Sequence, residues 1–133
     1  MAIEWTPALS VGVEYIDNQH KEWFEKANNL FEAGKTGKSK EYIGDMLKFL
    51  DEYTKKHFND EEAYMEKINY PEIEQQRIAH RNFVEKLAKL KQDFEESGGN
   101  IAVIVNANRM VVDWLTGHIS NMDKKIGIYT KSL

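Results

Sequence analysis

The stretch Ile73–Phe94, IEQQRIAHRNFVEKLAKLKQDF, decides the fold. Its apolar residues Ile73, Phe83, Leu87, Leu90 and Phe94 share one stripe with Gln76 and His80, in alternating steps of three and four, the seam of a left-handed helical bundle. An amide and an imidazole one turn apart therefore aim at a core. Either can be a hydrogen-bonded core residue or a metal donor, and this stretch alone does not choose.

Three more stretches carry the same periodicity, separated by helix-breaking residues. A first helix is predicted over about 17–33, with Ile16, His20, Trp23, Ala27 and Leu30 on its stripe, ending in GKTGKS. A second is predicted over about 39–66, capped by Ser39 and running through Ile43, Met46, Leu50, Tyr53, His57, Glu61 and Met65. The third, over about 71–97, takes Pro71 in its first turn, and SGGN closes it. A fourth, over about 100–119, is capped by Asn100 and carries Ile104, Asn108, Val111, Leu115 and His118. Residues 1–16 read as an extended N-terminal arm packed by Trp5, Leu9 and Val13, and residues 120–133 as a C-terminal segment. Short connections favour an all-α, up-down-up-down antiparallel four-helix bundle.

At 133 residues the chain is one domain with room for a core. Its 41% hydrophobic and 30% charged residues, with two prolines, fit a helical globular protein. A net charge of -4 without a Lys/Arg block argues against nucleic acid and against an anionic membrane surface. The absence of cysteine removes thiolate nucleophiles, disulfides and iron–sulfur clusters. Neither a signal peptide nor a membrane-spanning run is visible, so a cytoplasmic protein is expected.

The four histidines, His20, His57, His80 and His118, fall one to each helical stripe. Antiparallel packing would bring all four to one layer of the bundle. Glu61 lies one turn after His57, and Asp123 follows His118 by five, where the fourth helix is expected to end. Buried carboxylates are costly without a cation or several donors, and two beside four imidazoles fit a pair of metal ions. Imidazole with carboxylate and no thiolate suits iron, manganese or zinc alike.

Taken in order, these elements resemble the bacterial hemerythrin family along nearly the whole chain. WTPALSVGVEYIDNQHK resembles the family's N-terminal arm and first ligand helix, HFNDEE its HxxxE element, YPEIEQQRIAH the segment that carries HxxxH, and WLTGHISNMD its HxxxxD. The resemblance implies a non-haem di-iron centre that binds O2 reversibly, bridged by Glu61 and Asp123. One iron would take His20 and His57 and keep a position open for O2; the other would take His80 and His118. Trp114, Leu115 and Ile119 match residues that line the family's O2 pocket, while Trp23, Phe24 and Phe58 read as plain core. The third histidine of the second iron is replaced here by Gln76. Three outcomes stand open: Gln76 ligates directly, it holds a water that ligates, or the second iron is left a ligand short and reactive.

The expected function is reversible O2 binding for carriage, storage, scavenging or sensing, with no catalytic residue assigned. The alternatives are a di-iron peroxidase or oxidase exploiting the extra open position, and an iron-storage or partner-binding bundle. With no signalling domain visible, a freely diffusing carrier or scavenger is expected over a fused sensor, with O2 as ligand and an unidentified redox or protein partner left open.

Overall fold

The computed structural model describes residues 4–133. Four long helices, α1 (Glu14–Lys35), α2 (Lys40–Lys67), α3 (Ile73–Glu96) and α4 (Ile101–His118), form the bundle. α1 packs against α2 and α4, and α3 against the same two, so the helices close a square in chain order. No strand occurs among the described residues, and none of their helices is long and apolar enough to cross a membrane. Along the axis run fully buried Trp23, Leu30, Ile43, Leu50, Phe83, Leu87, Ile104 and Leu115. Burying each such side chain contributes roughly 1.5–3 kcal/mol, which is what offsets the polar layer described below.

Helix ends follow local chemistry. The Ser39 side chain accepts the Tyr42 N–H and the Asn100 side chain accepts the Ala102 N–H, so both predicted caps are in place. The arm predicted to reach residue 16 gives way to helix at Glu14, because Glu14 and Asp17 favour a helix N-terminus and Asp17 is occupied in holding the arm. Its carboxylate accepts the Val11 N–H at 2.8 Å and the Ser10 hydroxyl at 2.6 Å. Before that tie the arm makes a short 3-10 turn at Pro7–Leu9, and Trp5, Leu9 and Val13 pack partly buried on the core. Pro71 lies in the turn that follows left-handed Asn69, and α3 starts two residues later at Ile73.

The fourth helix does not stop near residue 119. It passes through one π turn, Ile119–Asp123, into a further helix, α5 (Lys124–Lys131), which buries Ile126 and Gly127. At Gly127 the backbone meets the arm so closely that a Cβ there would stand 1.6 Å from the Val11 carbonyl oxygen.

Candidate metal centre

Each helix delivers its histidine to one buried layer. His20 comes from α1, His57 and Glu61 from successive turns of α2, His80 from α3 and His118 from the end of α4, all buried. Asp123 arrives by the π turn. In an α-helix a residue five on lies about 140° around the axis from its predecessor. One i→i+5 turn winds Asp123 back beneath His118, and such turns are frequent at functional sites. The sequence reading had the spacing but not the winding.

The donor atoms fall into two sets sharing both carboxylates: His20, His57, Glu61 and Asp123 in one, and Glu61, His80, His118 and Asp123 in the other. Glu61 Oε2 lies 3.4 Å from His57 Nε2 and 3.6 Å from His20 Nε2, while its Oε1 lies 3.1 Å from His80 Nε2. Asp123 Oδ2 lies 3.2 Å from His20 Nε2, and its Oδ1 lies 3.2 Å from His118 Nε2. Each carboxylate thus turns one oxygen to each set.

These spacings would pass for ion pairs, yet none of the four Nε2 atoms, neither Glu61 oxygen, and not Asp123 Oδ2 has a hydrogen-bond partner among the described residues. Buried donors and acceptors are seldom left so. Neighbouring ligands about 2.0–2.2 Å from one ion at right angles stand ~3 Å apart, so unaligned pairs at this distance are what two metal ions would leave between their ligands. Nitrogen and carboxylate donors without thiolate fit divalent iron.

A second layer fixes the rings. His57 Nδ1 meets Gln19 Oε1 at 2.7 Å, and an amide oxygen only accepts, so His57 carries its proton there and turns a bare Nε2 inward. Gln19 is held in turn by its Nε2 donating to Asp60, at 2.9 Å, and by its backbone carbonyl accepting the Tyr53 hydroxyl, at 3.2 Å. His80 Nδ1 meets Glu62 Oε2 at 2.8 Å, with Arg77 Nε 3.5 Å from the other Glu62 oxygen. Sequence reading missed both partners: Gln19 and Glu62 each adjoin a site residue in the chain, but their polar surroundings look like ordinary solvated helix surface. Gln76 is buried beside the second set, its Nε2 donating to Asp123 Oδ1 at 3.0 Å.

Aromatic rings wall the layer. His80 stacks on Phe58 with centroids 3.8 Å apart, and His118 stacks on Trp114 at 4.4 Å. Trp23 lies 4.9 Å from the His57 ring and donates its Nε1–H to Thr54. Trp23 and Phe58 therefore do more than the plain core packing expected of them. Leu115 and Ile119 are fully buried on either side of His118 in sequence, and Trp114, partly buried, also stacks on Phe83 at 4.1 Å.

Burial alone would lower the His20 pKa, but the Asp123 and Glu61 carboxylates override it and raise it to about 9. His80 is likewise raised to about 9 against its burial, by Glu61 and Glu62. Burial would push the Glu61 carboxyl up, and the surrounding imidazoles hold it well below the usual range instead. Without metal, then, two imidazolium ions stand in for cation charge. Their folded-state pKa values lie above the ordinary 6.5, so the stability they contribute is full below 6.5 and is lost as pH rises through about 9. Chelator-stripped protein is expected to melt several degrees lower at pH 9 than at pH 6.5, whereas metal-loaded protein, whose imidazoles bind the ion unprotonated, shows no such fall. Thermal scans of both forms across this range check it.

Comparison with known proteins agrees with this geometry. The family model "Hemerythrin HHE cation binding domain" matches residues 11–127. Bacteriohemerythrin of Methylococcus capsulatus is 35% identical over 124 residues, spanning 92% of each chain. Myohemerythrin of Sipunculus nudus is 29% identical over 121 residues, 91% of this chain and 88% of that one. The crystal structure of wild-type hemerythrin superposes with a TM-score of 0.84 at 32% identity, covering 96% of both chains. A match this complete, running through both the bundle and its buried polar layer, places the chain in the hemerythrin family.

Proposed function

We propose that His20 and His57 hold one iron and His80 and His118 the other, with Glu61 and Asp123 bridging them, in a centre that binds O2 reversibly. The observation that carries this reading is the buried set of unpartnered Nε2 and carboxylate atoms, divided into two groups that share both carboxylates. Two ferrous ions bound there supply the electrons that reversible O2 binding draws on.

The chain's own residues set the conditions. Gln19 and Glu62 fix the rings of His57 and His80, so the donors are aimed before a metal arrives. The first set offers only two imidazoles and two carboxylate oxygens, so an iron held there would have room for a small ligand. Leu115 and Ile119, fully buried, with Trp114 stacked over His118, keep water from the layer and slow loss of the bound ligand through protonation. In this reading the protein carries, stores or scavenges O2, in a cytoplasmic setting that suits a chain without cysteine.

Protein loaded with iron under anaerobic conditions should contain about two irons per chain. Its visible absorption should appear on exposure to O2 and vanish under vacuum through repeated cycles. Iron near zero would overturn the reading, and so would a single irreversible passage to the oxidised form.

A further inference from the structure

Gln76 has no counterpart in the first set of donors, and its two terminal atoms are treated differently by the fold. The side chain is buried, its Nε2 donates to Asp123 Oδ1, and its Oε1 has no partner among the described residues. That oxygen shares its condition with the Nε2 atoms of all four histidines. The spacing is also that of a ligand. Gln76 Nε2 stands 3.0 Å from Asp123 Oδ1, and His118 Nε2 stands 3.2 Å from that same oxygen. The end of the amide thus occupies a place beside the carboxylate equivalent to that of a ligating imidazole.

As folded, the amide turns its NH2 toward Asp123 because an anionic oxygen accepts and does not donate. A divalent ion changes the preference. Once the ion partners Asp123, the NH2 would face a cation and the carbonyl oxygen would be left unused. The terminal torsion of glutamine is soft and nearly two-fold, so half a turn exchanges the two atoms at little cost.

We propose that Gln76 is a ligand of the second metal position through Oε1, its amide turning over from Asp123 to the ion as the metal binds. The inference rests on the di-metal reading above and deepens it. The second ion then has two imidazoles, two bridging carboxylate oxygens and one neutral amide oxygen. That set is harder and holds a divalent transition metal less tightly than three imidazoles would. The second position thereby gains a fifth donor, a weaker one than the imidazole that would complete a three-histidine set.

Titration with Mn(II), with free ion followed by electron paramagnetic resonance, reads each equivalent separately. The parent chain should bind two equivalents. Gln76→Leu should weaken one of them by tenfold or more and leave the other unchanged, and Gln76→His should tighten that same one by roughly tenfold. Leucine binding both equivalents as the parent does would overturn the proposal. Failure of the parent itself to take two equivalents would instead sink the di-metal reading, and this proposal with it. Because Gln76→Leu could disturb the fold, a crystal structure of the Mn(II)-loaded parent gives a second check: Oε1 about 2.2 Å from the second ion supports ligation, and a water standing between them overturns it.

Discussion

Glu61→Ala is expected to empty both metal positions at once, taking iron from about two per chain to near zero and abolishing the O2-dependent absorption. The reason is the division of its oxygens. Oε2 faces His57 and His20, while Oε1 faces His80, so no other single α2 residue touches both sets. Losing one imidazole takes a donor from one position and leaves the other whole; losing Glu61 takes a donor from each and removes half the negative charge on which the pair depends. The change should not unfold the bundle. Glu61 lies within a layer of polar groups, and the apolar core beyond that layer, with Ile43, Leu50, Leu87 and Ile104, does not depend on it. Without the Glu61 carboxylate the pKa of His20 and His80 should also drop from about 9, because that carboxylate helps raise both. Iron analysis beside circular dichroism tests all of this: a folded variant that still holds two irons would refute the bridging role.

How much of this was legible in the sequence depends on which physical signal carried it. Apolar periodicity placed four helices and put His20, His57, His80 and His118 in one layer, because burial of a stripe is enforced by every turn of the helix. Boundaries were less visible. Pro71 suits a first helical turn, yet left-handed Asn69 and the turn after it delay α3 to Ile73. The C-terminal segment was opaque for a different reason. Under α-helical winding His118 and Asp123 face different directions, so a helix ending near residue 119 was the simpler reading. The π turn that reconciles them has no composition of its own in ISNMD. Gln19 and Glu62 were hidden because a residue that hydrogen-bonds the outer edge of a buried ring sits at the border of the core, where sequence shows only a polar residue on a polar face. The position and donor type of Gln76 are legible in the sequence, but the contrast between its bonded nitrogen and its unpartnered oxygen exists only in three dimensions.

Gly127→Ala should be the most damaging substitution outside the polar layer. A Cβ at this position would fall 1.6 Å from the Val11 carbonyl oxygen and 2.8 Å from its carbon, both backbone atoms that no side-chain rotation can clear. One of two things must give. The arm is pinned by Asp17, whose buried carboxylate accepts the Val11 N–H and the Ser10 hydroxyl, so moving Val11 breaks that pair. The alternative is for α5 to back away, and α5 begins directly after Asp123, one turn before Gly127. Either route loosens the segment that aims the second bridging carboxylate. Overpacking of this kind costs about 1–3 kcal/mol and occasionally more, and the upper end is expected because both partners are held. Iron should also leave for a chelator several times faster than from the parent. Gly44→Ala provides the contrast, since a Cβ there meets nothing within 4 Å and the position is inside α2. That variant should gain roughly 0.5–1 kcal/mol from helix propensity and release iron at the parent rate. Urea melts and chelator kinetics on the pair decide the matter: if Gly127→Ala keeps the parent's midpoint and iron release, the arm does not clamp α5, and Asp123 owes its position to the π turn alone.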